Sequence, residues 1–164
     1  MDSGNKFMVL AAVVIGALVL QVGLIIADRH DSPGKAAVEF SKAYFKQNEC
    51  MAYRLCSDLT ADEEVDVVGD YINRVADEAR INGYKPRWMR MALSHTEVDV
   101  EMLDENTAEV HLTSRRMRSI NPVFGLVSKV FLLGESYEVD DTLTVIKETD
   151  GWKVCGQPYA LIEG

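Results

Sequence analysis

The sequence contains few of the residues that metal centres and nucleic-acid surfaces require. It has three cysteines, Cys50, Cys56 and Cys155, and three histidines among 164 residues. The cysteine spacings match neither a zinc framework nor a haem-attachment site, so we expect no metal and no cofactor. Lysine and arginine number 17 against 26 acidic residues, which gives a net charge of −9. Because phosphate binding needs a basic face, this balance argues against a nucleic-acid partner.

The common catalytic motifs are also missing. The chain has no phosphate loop, no GxGxxG, no GxSxG and no HExxH. Each of these motifs places nucleophiles, phosphate-binding amides or metal ligands at a fixed spacing. Their absence leads us to expect a protein that is not an enzyme.

One long apolar stretch, residues 7–27, contains a single strongly polar side chain, Gln21. A helix of this length extends roughly 30 Å, which matches the hydrocarbon core of a bilayer. We predict a short tail over residues 1–6 and an uncleaved single-pass transmembrane helix over 7–27. A cleaved signal peptide and a buried core helix are the alternatives, but signal cores usually run about 7–15 residues and core helices usually keep a polar face.

Small residues within this stretch suggest contact with another membrane helix. Gly16 and Gly23 are seven residues apart, which places them on nearly one helical face. Small residues let helix backbones approach closely in lipid, and Gln21 could add a hydrogen bond there. We therefore expect Gly16, Gln21 and Gly23 to form a partner interface within the membrane.

Charges near the two ends of the stretch decide the orientation only weakly. Lys6 and the terminal amine face Arg29 and Lys35, which is nearly a tie. The short amino-terminal tail is typical of a signal anchor, so we predict a protein of the inner membrane with its carboxy-terminal domain in the periplasm.

An oxidising compartment would permit one disulfide. On one continuous helix Cys50 and Cys56 would point to different sides, so a bond from either of them to Cys155 is easier. The alternative is three small buried thiols with no bond.

After a linker at 28–32, the pattern predicts helices. Ser32 and Pro33 suit a helix start, and apolar residues recur at helical spacing to about Gln47. Residues 50–59 predict a short second helix. A third helix is expected to begin at a capping box formed by Thr60 and Glu63, and to end at Asn82-Gly83.

Beyond Gly83 the apolar period changes from about 3.6 to 2, which predicts strands. The first strand runs from Met89 to Met102, and its alternation shifts register near Ser94-His95, which predicts a β-bulge. Three further strands are predicted at residues 108–114, 137–147 and 152–155, with turns at 104–106 and 149–151.

Helices followed by consecutive strand hairpins, ending in Asp150-Gly151-Trp152-Lys153-Val154, resemble the nuclear transport factor 2-like fold. The resemblance implies an α+β domain over residues 33–156, in which a curved antiparallel sheet wraps around the helices as a cone, followed by a tail at 157–164. Its enzyme members, similar to ketosteroid isomerases and polyketide cyclases, place an acid/base pair inside the cone. That resemblance makes His95, Asp99 and Tyr137 the candidate catalytic residues.

The topology of one anchor and one exported cone is similar to that of inner-membrane assembly subunits of type IV secretion systems. Those subunits carry an Asn-Pro-x-Gly element, and this chain has Asn121-Pro122-Val123-Phe124-Gly125, with one extra residue. The resemblance implies partners among other membrane or periplasmic subunits.

A basic and apolar segment between Arg115 and Gly134 stands out in an acidic chain. It predicts either a helix that closes the cone or a surface that rests on lipid headgroups or a partner. The interface candidates are Arg115, Arg116, Arg118, Phe124, Val127 and Phe131. We expect a membrane-anchored accessory subunit that acts by tethering and protein contacts. The alternatives are a small-ligand binder or isomerase-like enzyme that uses the cone cavity, and a cytoplasm-facing sensor domain.

Overall fold

The structure is a computed structural model that describes residues 9, 12–21, 30–61, 65–118, 136–159 and 161. The chain divides into two compact units, Met1–Asp31 and Ser32–Gly164. In the first unit, residues 12–21 are helical and their side chains are exposed. Among the described residues, no helix is both long enough and apolar enough to cross a membrane. Residues 22–27, including Gly23, lie outside the described part, and the transmembrane assignment stays a prediction.

The first helix of the second unit, α1 (Pro33–Phe45), begins where the sequence predicts. The Ser32 hydroxyl accepts a hydrogen bond from the Lys35 amide at 3.2 Å, and Pro33 occupies the first turn. The helix ends two residues before the predicted Gln47, because Gln47 adopts a left-handed backbone conformation with φ of +53°. Its buried face consists of Ala36, Ala37, Phe40, Ser41, Tyr44 and Phe45.

The predicted second helix, residues 50–59, is wrong as one continuous element. The structure has a 3₁₀ helix, Glu49–Arg54, and a short α2, Ser57–Thr60. Leu55 and Cys56 between them are extended, because Leu55 forms a parallel bridge with Val154 and the Cys56 amide donates to the Val154 carbonyl at 3.0 Å. A hydrogen bond to the sheet edge therefore breaks a stretch that local spacing predicts as helical.

The predicted start of the third helix is also wrong. Helix α3 runs Val67–Ile81, and its cap is Asp66, whose carboxylate accepts from the Gly69 amide at 2.9 Å. Thr60 instead ends α2, with its hydroxyl bonding back to the carbonyls of Cys56 and Ser57. Residues 62–64, which include the other half of the predicted capping box, lie outside the described part. The predicted end is confirmed, since Gly83 follows the helix at φ of +76°.

Four antiparallel strands form one sheet in the order β1-β2-β3-β4. Their bounds are Met91–Met102, Thr107–Arg118, Ser136–Glu148 and Gly151–Cys155. Met89 belongs to a 3₁₀ helix, Pro86–Met89, so β1 begins two residues later than predicted. The predicted bulge is confirmed: the β1–β2 register shifts between Ser94 and Glu97, and His95 has φ of +52°.

The core lies between one face of this sheet and the helices. On β2 the even-numbered residues 108–114 are buried, as their alternation predicts, and they face Val145, Leu143, Asp141 and Val139 of β3. Helix α1 packs over this face through Phe40 and its buried neighbours. Leu161 also joins the core, so the predicted tail at 157–164 includes residues that pack against the domain. The coarse expectation of an α+β domain with an antiparallel sheet is confirmed.

One disulfide joins Cys56 to Cys155, with a Cα–Cα distance of 5.4 Å. It links the residue before α2 to the last residue of β4, across 99 positions of sequence. The expectation that either Cys50 or Cys56 bonds to Cys155 is confirmed, and the alternative of three buried thiols is wrong. Cys50 is free and exposed.

Candidate functional site

A cavity of about 660 Å³ opens on the core face of the sheet, where β2 ends and β3 begins. Its volume lies within the range of about 300–1,000 Å³ that small-molecule sites occupy. Its walls come from helices α1 and α3, from the segment before β1 and the first residue of β1, from strands β2 and β3, and from the carboxy-terminal segment. The residues that line it include Tyr44, Phe45, Tyr71, Arg116, Asp141 and Tyr159.

Three tyrosines from distant parts of the chain meet in this cavity, and we call them the tyrosine cluster: Tyr44, Tyr71 and Tyr159. The Tyr44 ring stacks on Tyr71 with centroids 4.5 Å apart and on Tyr159 with centroids 4.7 Å apart. Tyr44 reaches the cavity because it follows Phe40 by four residues, on the buried face of α1. The cluster therefore joins α1, α3 and the carboxy-terminal segment.

Hydrogen bonds fix the position of Tyr159. Its hydroxyl lies 2.7 Å from Ser41 Oγ, and the Ser41 hydroxyl donates to the Ala37 carbonyl at 2.7 Å. Because the single Ser41 proton is used on that carbonyl, Tyr159 is the donor in the bond to Ser41. Ser41 is fully buried, so this chain of hydrogen bonds ties the carboxy-terminal segment to the interior of α1.

The buried tyrosine hydroxyls stay neutral over the physiological pH range. Burial raises the pKa of Tyr159 to about 12, and the negative charge of Asp141 adds to this shift. Burial also raises the pKa of Tyr71, and its hydrogen bond with Tyr44 acts in the same direction. Neutral hydroxyls can donate and accept hydrogen bonds, but they are poor general bases near pH 7.

Arg116 enters the cavity from β2. It lies directly opposite Tyr137 of β3, and its guanidinium carbon is 5.5 Å from the Tyr137 ring centroid and 6.0 Å from that of Phe45. Its Nε is buried and has no hydrogen-bond partner among the described residues. The neighbouring Arg115 has the opposite strand parity and is exposed.

Carboxylates occupy other parts of the cavity wall. Asp141 lies opposite Leu112 in the register and therefore on the core face, and its Oδ1 accepts from the Thr142 amide. Asp140 has the opposite parity, and its Oδ1 lies 2.9 Å from His111 Nε2. Glu78 of α3 lines the cavity near Arg74, whose guanidinium carbon is 5.9 Å from the Tyr71 ring centroid. The wall thus carries both signs of charge.

Two residues of the cavity wall adopt a backbone conformation that side chains disfavour. Gln47 has φ of +53° and Tyr159 has φ of +54°. Left-handed conformations of residues other than glycine are uncommon, and they concentrate where the surrounding structure holds a site in shape. The conformation of Gln47 belongs to the end of α1, where its amide donates to the Tyr44 carbonyl at 2.9 Å and the Asn48 amide donates to the Ala43 carbonyl at 2.9 Å.

The candidate catalytic residues do not line this cavity. His95 lies at the bulge of β1 and is exposed. Asp99 is exposed and lies opposite His111, whereas Tyr137 lies opposite Arg116, so Asp99 and Tyr137 belong to different faces of the sheet. The structure therefore does not bring these three residues together. Among the described residues, no group of histidine, cysteine, aspartate or glutamate could hold a metal ion.

The predicted interface residues also separate. Arg115 and Arg116 point to different faces of the sheet, and Arg118 is exposed at the end of β2. Gly16 and Gln21 lie in the helical residues 12–21 and are exposed. The remaining interface candidates, Gly23, Phe124, Val127 and Phe131, lie outside the described residues.

Sequence reasoning missed the tyrosine cluster. Tyr44 reads as one more apolar residue of α1, Tyr71 carries no motif, and Tyr159 lies in a segment predicted to be a tail. The sequence carried little signal: five of the six tyrosines lie in predicted helices or outside the predicted helices and strands, so their placement does not single out these three. Only the tertiary structure shows that they meet.

Comparison of the whole chain with protein-family models, with curated proteins and with solved structures finds no match. Residue roles at this site therefore rest on its own geometry and chemistry.

Proposed function

We propose that this chain is an accessory subunit of a larger membrane or envelope complex, anchored by residues 7–27, with its carboxy-terminal domain outside the cytoplasm. The observation that carries the proposal is the Cys56–Cys155 disulfide. Stable disulfides form and persist mainly in exported domains, because the cytoplasm keeps thiols reduced. The bond therefore supports export, which the charges beside the apolar stretch leave nearly undecided.

The placement of the polar side chains supports recognition rather than chemistry as the task of the domain. General acid–base catalysis needs the acid and the base within hydrogen-bond reach of one substrate. His95 and Asp99 lie outside the cavity wall, and the tyrosine hydroxyls inside it are neutral. An α+β domain of the nuclear transport factor 2-like type, similar to the exported domains of type IV secretion assembly subunits, would serve such a role.

Tethering supplies the mechanism. Confinement to the membrane raises the effective concentration of the domain near its partners, so weak surface contacts add to those made by the anchor. In the amino-terminal helix, Gly16 has no atom near the position that a Cβ would take, which leaves room for a neighbouring helix. A membrane-embedded contact at Gly16, Gln21 and Gly23 would combine with contacts made by the exported domain.

The test is purification of the full-length chain in mild detergent, at native expression, after thiols have been blocked in intact cells. We expect Cys56 and Cys155 to resist alkylation until reduction, Cys50 to react at once, and other membrane or periplasmic subunits to co-purify in fixed ratio. Replacing both Gly16 and Gly23 with leucine should lower partner recovery without lowering membrane insertion. The matched control replaces Val13 and Leu20, also seven residues apart, with alanine.

Two results would overturn the proposal. Rapid alkylation of Cys56 and Cys155 in freshly opened cells would contradict export. Recovery of the chain only as a lone monomer, with the Gly16→Leu, Gly23→Leu variant behaving as the parent does, would contradict a role as an assembly subunit.

A further inference from the structure

We propose that the tyrosine-lined cavity is a binding site for a small carboxylate with an aromatic or apolar body, and that Arg116 is the residue that receives the carboxylate. This site is additional to the tethering role and does not depend on membrane anchoring. The shared chemistry could come from a free small acid or from the carboxyl end of a peptide, and the test below separates these two sources.

Arg116 carries a buried hydrogen-bond donor that is unsatisfied among the described residues. A buried donor without a partner costs free energy, and native proteins leave few such groups. Arg116 Nε is buried and has no hydrogen-bond partner among the described residues, and Arg116 is one of the residues that line the cavity. The planar guanidinium fork matches a carboxylate with two parallel hydrogen bonds, so a carboxylate in the cavity can pair with the part of this half-buried side chain that stays accessible.

The cavity wall also carries the carboxylates of Glu78 and Asp141, but no carboxylate on the core face of β3 lies beside Arg116. On β3, Glu138 and Asp140 have the opposite parity to Tyr137, and Asp140 is paired with His111. The nearest core-face carboxylate of that strand is Asp141, which lies four residues beyond Tyr137, or roughly 13 Å along the strand. The positive charge of Arg116 is therefore not neutralised by a carboxylate of β3 on its own face.

The remaining walls fit an aromatic or apolar body. Phe45, Met89 and Met91 line the cavity beside Arg116, and the stacked rings of the tyrosine cluster continue the wall. Thioether and aromatic side chains make favourable contacts with rings, and they adapt to irregular shapes. The neutral hydroxyls of Tyr71 and Tyr159 add hydrogen-bonding groups without adding charge.

Hydrogen bonds hold part of the cavity wall in place before a ligand arrives. The Tyr159 hydroxyl is tied to the buried Ser41 hydroxyl at 2.7 Å, and Ser41 is tied in turn to the backbone of α1. Because a wall that is already ordered loses little conformational entropy on binding, such a site binds more tightly than a flexible one.

The experiment measures binding of phenylacetate and of its neutral amide, phenylacetamide, to the full-length chain in detergent by ligand-observed NMR titration. We expect saturable binding of phenylacetate, and affinity for the amide lower by about tenfold or more, since the amide loses the charge-assisted pair. A peptide that ends in a free phenylalanine carboxylate, compared with the same peptide amidated, tests the second source. If the peptide acid binds more tightly than phenylacetate, the site recognises the carboxyl end of a peptide. If phenylacetate binds more tightly, the site recognises a free small acid.

Arg116→Met should lower the affinity for phenylacetate by about tenfold or more and leave that for phenylacetamide nearly unchanged. Arg115→Met is the matched control, because it removes the same charge from the adjacent residue on the other face of the sheet; it should change neither affinity by more than about twofold. Circular dichroism checks folding. Arg116→Lys, which keeps the charge and lacks Nε, provides a second variant with an expected intermediate loss.

Three results would overturn the proposal. They are the absence of saturable phenylacetate binding at millimolar concentration, equal affinities for the acid and the amide, and equal losses in the Arg115→Met and Arg116→Met variants. Because the readout is binding to the isolated chain, it is independent of whether partner subunits co-purify.

Discussion

The two ends of the core face of the sheet are built from the same strands, β2 and β3, but they differ sharply. At the closed end, β4 extends the sheet and the core residues Val110, Leu143, Val145 and Val154 are at most 2% exposed. At the open end, Arg116 is half-buried and Tyr137 is 44% exposed. A continuous pair of strands therefore supports both a closed core and an open cavity.

The difference follows from the side chains that each end presents. The side chains of Val110, Leu143 and Val154 are apolar and form no hydrogen bonds with water, so their burial is favourable. The closed end therefore packs to high density under Phe40. Arginine and tyrosine carry polar groups that must keep a partner, which prevents the open end from collapsing in the same way. The cavity therefore forms where the core face carries the polar groups of Arg116 and Tyr137, in the part of the sheet that β4 does not cover.

The largest effect on stability is expected from removing the disulfide at the closed end. Replacing both Cys56 and Cys155 with alanine should lower the free energy of unfolding by roughly 4 kcal/mol, because the bond closes a long loop in the unfolded chain. Urea denaturation of the full-length chain measures it. Cys50→Ala is the control, since Cys50 is free and exposed, and it should change stability by less than about 0.5 kcal/mol. Equal effects of the two variants would show that the bond does not stabilise the closed end.

The next largest effect is the difference in unfolding free energy between truncating a side chain at the closed end and truncating one at the open end. Leu143→Ala at the closed end should cost about 3 kcal/mol, because Leu143 is 2% exposed and its truncation leaves a void. Met91→Ala in the cavity wall should cost about 1 kcal/mol or less, because Met91 is only half-buried and borders open space. Urea denaturation of both variants gives the difference, and similar costs would remove the contrast between the two ends.

The smallest expected effect is an alkaline loss of stability at the open end. The folded state holds the Tyr159 proton more tightly than the unfolded state, because burial raises its pKa from 10.0 to about 12. This contribution is fully present below pH 10, the unfolded value, and is lost as the pH rises through about 12. The raised pKa of Tyr71 acts in the same direction.

Unfolding free energies measured between pH 8 and pH 12 test this expectation. The Tyr159→Phe variant is the control: it should lose about 1 kcal/mol at neutral pH, through the missing bond to Ser41, and fall less steeply above pH 10. An equally steep fall in that variant would assign the alkaline transition to other groups.

Local patterns predicted most of the domain because they depend on neighbouring residues. Ser32 with Pro33, the shift near His95 and the alternation of residues 108–114 each act within a few positions, and the structure has the helix start, the bulge and the buried face where expected. One error arose where a distant contact overrode a local preference. The bridge from Leu55 to Val154 breaks the predicted second helix, and no local pattern contains that information.

The candidate site was not predictable in the same way. His95, Asp99 and Tyr137 have side chains that can act as acids or bases. In the structure, however, Asp99 and Tyr137 lie on different faces of the sheet, and His95 lies at the bulge of β1. The residues that do meet, Tyr44, Tyr71 and Tyr159, are separated in sequence by more than any local rule spans.

The sequence by itself determined the α+β class, the alternating face of β2, the caps at Ser32 and Gly83, and the acidic balance, since each depends on composition or on periodicity along a single segment. Only the tertiary structure decided which cysteine pairs with Cys155, which arginine of the Arg115-Arg116 pair faces the core, and that three tyrosines share one cavity. The physical reason is that these outcomes depend on strand register and helix packing, which bring together residues that lie far apart in the chain.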